Sequence, residues 1–131
     1  MISDIDIKDE FYRILKNSSL TKKVNGILSK TLRPSGSDAE DIVISILANG
    51  SGDIQEAYVN INIYVKDLVR GNQSEENTIR LRELSNLAID ILESGFGKNY
   101  RFTLESQRIM QVPGKSEHFI NNKVLIKFSN E

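Results

Sequence analysis

Polar and apolar residues alternate along the middle of the chain. In the stretch from Asp41 to Asp67, Val59, Ile61, Ile63 and Val65 fall on one side of an extended backbone, and Tyr58, Asn60, Asn62, Tyr64 and Lys66 on the other. Successive side chains of a strand face opposite ways, so this limb predicts a strand with one buried and one polar face. The limb before it, Ile42 to Leu47, is more continuously apolar, with Ile42, Ile44 and Ile46 on one side and Val43 and Leu47 on the other. Asn49-Gly50-Ser51-Gly52-Asp53 joins the limbs. Glycine and asparagine tolerate the positive φ that tight hairpin connections need, so the pair predicts the centre of an antiparallel sheet.

On either side the apolar period lengthens to that of a helix. Ile7, Phe11, Ile14 and Leu15 make one stripe of a helix from about Ser3 to Asn17, and Asp4, Asp6 and Asp9 crowd its positive end. Asn17-Ser18-Ser19 interrupts it, and Leu20 to Asn25 adds a turn ending at Gly26. Gly26 to Leu32 predicts a short edge strand closed by Arg33-Pro34, because proline cannot donate to a ladder. Ser35 to Glu40 reads as a polar loop, and Leu68 to Asn77 as a second polar, mobile connection.

Thr78 to Glu93 carries the strongest helical signal, with Leu81, Leu84, Leu87, Ala88, Ile91 and Leu92 on one face and Ser94-Gly95 as the stop. Tyr100 to Met110 and His118 to Phe128 predict two closing strands around a Val112-Pro113-Gly114-Lys115 turn; Tyr100, Phe102 and Leu104 share a side of one, and Ile120, Val124, Ile126 and Phe128 a side of the other. The order α-β-β-β-α-β-β implies an α+β fold. Its expected form is a two-layer sandwich, a mainly antiparallel sheet of roughly four to five strands with two amphipathic helices packed on one face.

At 131 residues the chain fits a single domain, 1–131, large enough for a core without a staple. It has no cysteine, and so no disulfide, thiol nucleophile or thiolate metal site. A net charge of −1 exerts no overall pull toward nucleic acid or an anionic membrane. The longest apolar runs are of strand length, and Met-Ile-Ser-Asp-Ile-Asp at the start lacks the basic-then-apolar order of a secretory signal. The expectation is a soluble protein made in the cytoplasm.

Candidate chemistry is sparse. His118 is the sole histidine and reads as a strand residue beside a Pro-Gly turn rather than a general base. Gly95-Phe96-Gly97-Lys98 looks like a fragment of a phosphate loop, yet it follows a helix and precedes a strand, the reverse of the order that aims amides at a phosphate. Asp38, Glu40 and Asp41 lack the ligand number and loop spacing of a calcium or magnesium site. The chain is therefore expected to have no catalytic, cofactor or metal residues, not to be an enzyme, and to take no small-molecule substrate.

Lys22, Lys23, Lys30 and Arg33 form a basic segment just ahead of the acidic Asp38 to Asp41. No aromatic is interleaved with these bases, so they do not read as a specific nucleic-acid platform. A basic flank and an acidic flank on one molecule suit head-to-tail association. Tyrosine is enriched at protein interfaces, which draws in the polar strand face as well. The candidate interface residues are thus Lys30, Arg33, Asp38, Glu40, Asp41, Tyr58, Asn60, Asn62, Tyr64 and Lys66.

Taken in order, the chain runs from a first helix through a Gly26-Ile27 strand ending in Arg33-Pro34, a polar gap and Glu40-Asp41-Ile42-Val43-Ile44. The long Val59-Asn60-Ile61-Asn62-Ile63-Tyr64-Val65-Lys66-Asp67 strand, an amphipathic helix and a two-strand finish follow. This succession resembles the small tail-completion and tail-terminator proteins of long-tailed bacteriophages and prophages. The resemblance covers nearly the whole chain and rests on element order and strand phrasing. It carries no motif that assigns a role to single residues, and Leu68 to Asn77 is longer than its counterpart in many members.

The resemblance implies an α+β fold and a structural role at the tail end or head–tail junction. It also implies self-association into a ring, often sixfold, and other tail or neck proteins as partners. The location implied is the virion, with the bacterial host cytoplasm as the site of assembly. A different class stays open beside it: a small cytoplasmic binding or adaptor module that uses the sheet face for a protein or peptide.

Overall fold

The computed structural model describes residues 1–129 of the chain; the last two positions of the predicted domain lie outside the described residues. The alternating stretch forms β3 (Gln55–Lys66), in which Ala57, Val59, Ile61 and Ile63 are fully buried while Tyr58, Asn60, Asn62 and Tyr64 are half-buried. Antiparallel neighbours flank it on both sides, β2 (Ile42–Gly50) and β8 (Glu117–Phe128), and β7 (Tyr100–Gln111) pairs antiparallel with β8. Two short strands occupy the edges. β1 (Leu28–Ser29) runs parallel to the start of β2, and β6 (Ser94–Phe96) antiparallel to the start of β7, so the order is β1-β2-β3-β8-β7-β6.

The helices cover one face of this sheet. In α1 (Asp4–Lys16) the Ser3 hydroxyl accepts from the Asp6 amide at 3.1 Å, and Arg13 and Lys16 stand in the last turn, as the helix dipole favours. The Ser18 hydroxyl restarts the helix as α2 (Ser19–Lys23) by accepting from Thr21. In α3 (Thr78–Leu92) the Asn77 side chain accepts from the Arg80 amide. Ile7, Phe11 and Leu15 of α1 and Leu81, Leu84, Ala88 and Leu92 of α3 join Ile44, Ile61, Val124 and Ile126 of the sheet in one buried cluster. The fold is α+β. Among the described residues no helix is long and apolar enough to cross a membrane.

Several elements differ from expectation. The sheet has six strands rather than four to five, one of its pairs is parallel, and the element order is richer than α-β-β-β-α-β-β. The predicted Gly26–Leu32 strand survives only at Leu28 and Ser29. Gly26 is no helix stop: α2 has already ended, and a Cβ at Gly26 would strike the Asp41 carboxylate and the Glu40 backbone, so glycine is there to let two chain segments touch. Ser94-Gly95 likewise does not terminate α3 by a left-handed turn. It continues as β6, and Gly95 is glycine because the Phe102 ring lies where its Cβ would be.

Leu68 to Asn77, expected as a mobile connection, contains a two-stranded hairpin, β4 (Leu68–Arg70) and β5 (Gln73–Glu75), around a Gly71-Asn72 turn. In β2 the register shifts between Ile46 and Ala48, and the bulged Leu47 is 57% exposed. The buried face of β8 includes Asn122, fully buried, between the expected Ile120 and Val124. Its amide donates to the Ile61 carbonyl at 3.0 Å and accepts from Gln107 at 2.7 Å, while Gln107 also donates to the Ser85 carbonyl. That chain of bonds satisfies a polar group inside an apolar layer and ties α3 to the sheet.

Candidate protein interface

The connection between β1 and β2, residues 30–41, folds back over the sheet, and Arg33 is what holds it there. Its guanidinium donates to Asp41 Oδ2 at 2.8 Å, to Glu117 Oε1 at 2.7 Å and to the Ala39 carbonyl at 2.8 Å, and a second bond to Glu117 makes that contact bidentate. The same group lies 4.2 Å over the Tyr64 ring, which stacks on Phe119. Asp41 also accepts from the Ser37 hydroxyl at 2.6 Å and the Ile27 amide at 3.0 Å. Burial pushes the Asp41 carboxyl up, but the Ser37, Ile27 and Arg33 donors outweigh it and hold the group below its ordinary value. Glu117 raises the Arg33 guanidinium further above its usual range.

Glu40 is the next residue back and faces the opposite way, as consecutive extended residues must. It meets Arg80 of α3, which donates to both its oxygens at 2.7 and 2.6 Å, to Glu83 at 2.6 Å and to the Lys23 carbonyl at 2.9 Å. Glu40 and Asn25 exchange backbone-to-side-chain bonds in both directions. The start of β2 is thereby clamped from both faces, by an arginine on each. Lys30 pairs with Asp9 of α1 at 2.9 Å, and Lys66 with Asp38 at 3.2 Å, both at the surface.

The basic and acidic segments singled out in the sequence are therefore brought together within one chain. Arg33 and Asp41 meet each other, and Glu40 meets Arg80, with side-chain exposures of 14%, 2% and 10% for Arg33, Asp41 and Glu40. These three satisfy their charge internally. The polar row is different, because it lies on the sheet face without helices. Asn121 of β8 donates to Asn62 at 2.8 Å and to Asn60 at 3.2 Å, and the Lys123 ammonium sits 4.6 Å over the Tyr58 ring. Cross-strand pairs thus extend the row to Tyr58, Asn60, Asn62, Phe119, Asn121 and Lys123, with the 30–41 connection covering only its Tyr64 end.

Sequence reasoning did not single out Glu117, Arg80 or Asn122. Asn122 was visible as a polar break in an otherwise apolar alternation; Glu117 and Arg80 carry no local signal, since their partners are 84 and 40 positions away. His118 is a strand residue, its Nδ1 2.6 Å from Asp67 Oδ1. Asp67 also accepts from Ser74 of the β4–β5 hairpin at 2.8 Å, so the carboxylate stands between hydroxyl and imidazole. A nucleophile–base relay needs the imidazole in the middle. The Gly97 amide of the phosphate-loop-like fragment donates to the Tyr100 carbonyl at 2.9 Å and closes a turn.

No protein-family model matches the chain, and no curated protein matches it.

Proposed function

We propose that the chain is a structural, self-associating protein of a bacteriophage or prophage tail or head–tail junction, one that completes or caps the tail as a ring. The observation that carries this reading is the uncovered sheet face. A helix layer covers one side, while the other presents a row of half-buried side chains in which Asn60 and Asn62 are bonded to Asn121, Lys123 lies over Tyr58 and Phe119 stacks on Tyr64. Groups already held in one rotamer lose little entropy when a partner arrives, which suits a contact surface. The partners are further copies of the chain and other tail or neck proteins, and the place of action is the virion, reached from the host cytoplasm.

The deciding experiment is to induce and purify tailed particles from a host carrying the gene. Immunogold labelling should fall at the tail end or neck, and deletion of the gene should leave tails of uncontrolled length or heads without tails. Normal infectious particles from the deletion would remove this reading. The adaptor reading shares the same face; it predicts a chain that binds a different cytoplasmic protein and is absent from particles.

A further inference from the structure

The edges of the sheet carry more information than its faces. β1 pairs with β2 only at Ile42 and Val43, so past that point the outer edge of β2 has no strand partner. β6 pairs with β7 only at Arg101 to Thr103, which leaves the outer edge of β7 from Ser106 to Gln111 without one. Sheet edges in isolated proteins are normally blunted by lysine, proline or a covering element. The free stretch of β2, Ile44-Ser45-Ile46-Leu47-Ala48-Asn49-Gly50, has no charge and no proline, and its Leu47 is turned outward. Ile109 and Met110 are likewise exposed on the free stretch of β7, at 46% and 39%.

We propose that these two edges are halves of one contact, the free stretch of β2 in one copy pairing antiparallel with the free stretch of β7 in the next. The proposal rests on the self-associating reading above and names its interface. Direction fits: β2, β3, β8 and β7 alternate in sense, so β2 and β7 run oppositely and meet antiparallel between like-oriented copies. Size fits as well, because on the open face β2 offers the small Ser45, Ala48 and Gly50 where β7 brings Arg108 and Met110. Charge completes the match. Arg108 makes no ion pair among the described residues; across the side-chain-free Gly50 of the next copy it would reach Glu56 of β3, whose half-exposed carboxylate faces Lys127 at 3.4 Å and would be shared between the two cations.

The two free stretches lie at opposite ends of the sheet: Gly50 is level with Glu56, Lys127 and Arg101, whereas Arg108 is level with Asn121, Asn62 and Val43. Pairing them offsets each copy along the strands relative to the last. A stagger of that kind is what a sheet needs in order to close on itself as a barrel. Because the edges are unlike, the contact is heterologous and propagates.

The native chain has no cysteine, which makes the test clean. Ala48→Cys is combined in turn with Ser106→Cys, Arg108→Cys and Met110→Cys, covering three registers that keep the open faces in phase, and each full-length variant is oxidised across a concentration series. Within one copy the two edges are about 14 Å apart at roughly 4.8 Å per strand, too far for a disulfide. One of the pairs should give a covalent ladder running past dimer, while each single variant stops at dimer. Arg108→Glu without cysteines should shift the native-mass assembly curve to at least tenfold higher concentration, and adding Glu56→Arg should restore it.

A discrete oligomer by native mass with no ladder from any pair would overturn the edge contact while leaving self-association standing. A chain that is monomeric up to its solubility limit, yet present in purified particles, would overturn it too and leave the virion reading intact.

Discussion

On the covered side of β3, Val59, Ile61 and Ile63 are fully buried; on the open side, one residue along, Asn60 and Asn62 are half-buried and bonded to Asn121. The same backbone thus supports two layers ordered by different forces. Burial of apolar area, at about 25 cal/mol per Å², orders the first and supplies most of the stabilisation. The second is ordered by directional bonds whose net worth in contact with water is about 1 kcal/mol each or less. What the contrast teaches is that order and stability separate. The open face is pre-arranged without being energetically essential, apart from the one place where an arginine and two carboxylates are taken out of water.

That exception offers the hardest way to break the comparison. Arg33→Met would strand Asp41 and Glu117, each with a side chain only 2% exposed. Removing one member of a buried ionic cluster leaves uncompensated charge, so the expected loss is about 3–5 kcal/mol by urea denaturation. Adding Asp41→Asn and Glu117→Gln should recover a good part of it. Lys115, 3.5 Å from Glu117, softens the effect but carries no second bond to Asp41. The same cluster sets an acid limit. Asp41 is held below its ordinary value, so its contribution is complete above about pH 4, the unfolded carboxylate range, and is lost as pH falls through the lower folded value. Urea midpoints measured downward from pH 5 should fall more steeply in the native chain than in Asp41→Asn.

On the covered face the corresponding probe is Leu84→Ala. Leu84 is fully buried on α3, and a Leu-to-Ala truncation in a packed interior loses about 2–5 kcal/mol. An unchanged midpoint would show that the helix layer is not seated on the sheet. Asn122→Leu probes a polar tie at the centre of that layer. It leaves the Ile61 carbonyl and one Gln107 bond without their partner, for about 1–3 kcal/mol. Because Gln107 keeps its bond to Ser85, the lower end of that range is expected.

How far each region could be read from sequence follows the same physics. The covered face was legible because periodicity reports burial directly: the stripe Ile7, Phe11, Leu15 and the alternation Val59, Ile61, Ile63 are both core. α3 does end just ahead of Ser94-Gly95, as expected, but the role of glycine at 95 and at 26 was misread for one reason. Glycine serves both left-handed turns and close approach, and only the structure places Phe102 against the one and Asp41 against the other. The basic and acidic segments were recognised as complementary. That complementarity is used within the chain at Arg33–Asp41, whereas Glu40 turned to Arg80, which no local pattern could reveal. Edge strands of two and three residues carry little periodicity: β1 was foreseen as an edge strand but with bounds too wide, and β6 was not foreseen.

The smallest effect gives the sharpest form of the comparison. Asn62→Ala removes the better of the two bonds from Asn121, which still has Asn60 within 3.2 Å and solvent beside it. Substitutions at positions open to water rarely move stability by more than about 0.5 kcal/mol, and that is the expected bound here, with the denaturant slope unchanged. Nothing apolar is uncovered and no charge is stranded, so the residue one place from the fully buried Ile61 and Ile63 should behave as surface. The variant's folded Asn121 amide is the finer readout. With one anchor gone it should sample more than one rotamer, seen as broadening of its side-chain resonances while the backbone amides of β3 and β8 keep their shifts. A loss above about 2 kcal/mol instead would place Asn62 with the buried polar groups, where an unmatched amide is expensive, and would erase the distinction between the faces.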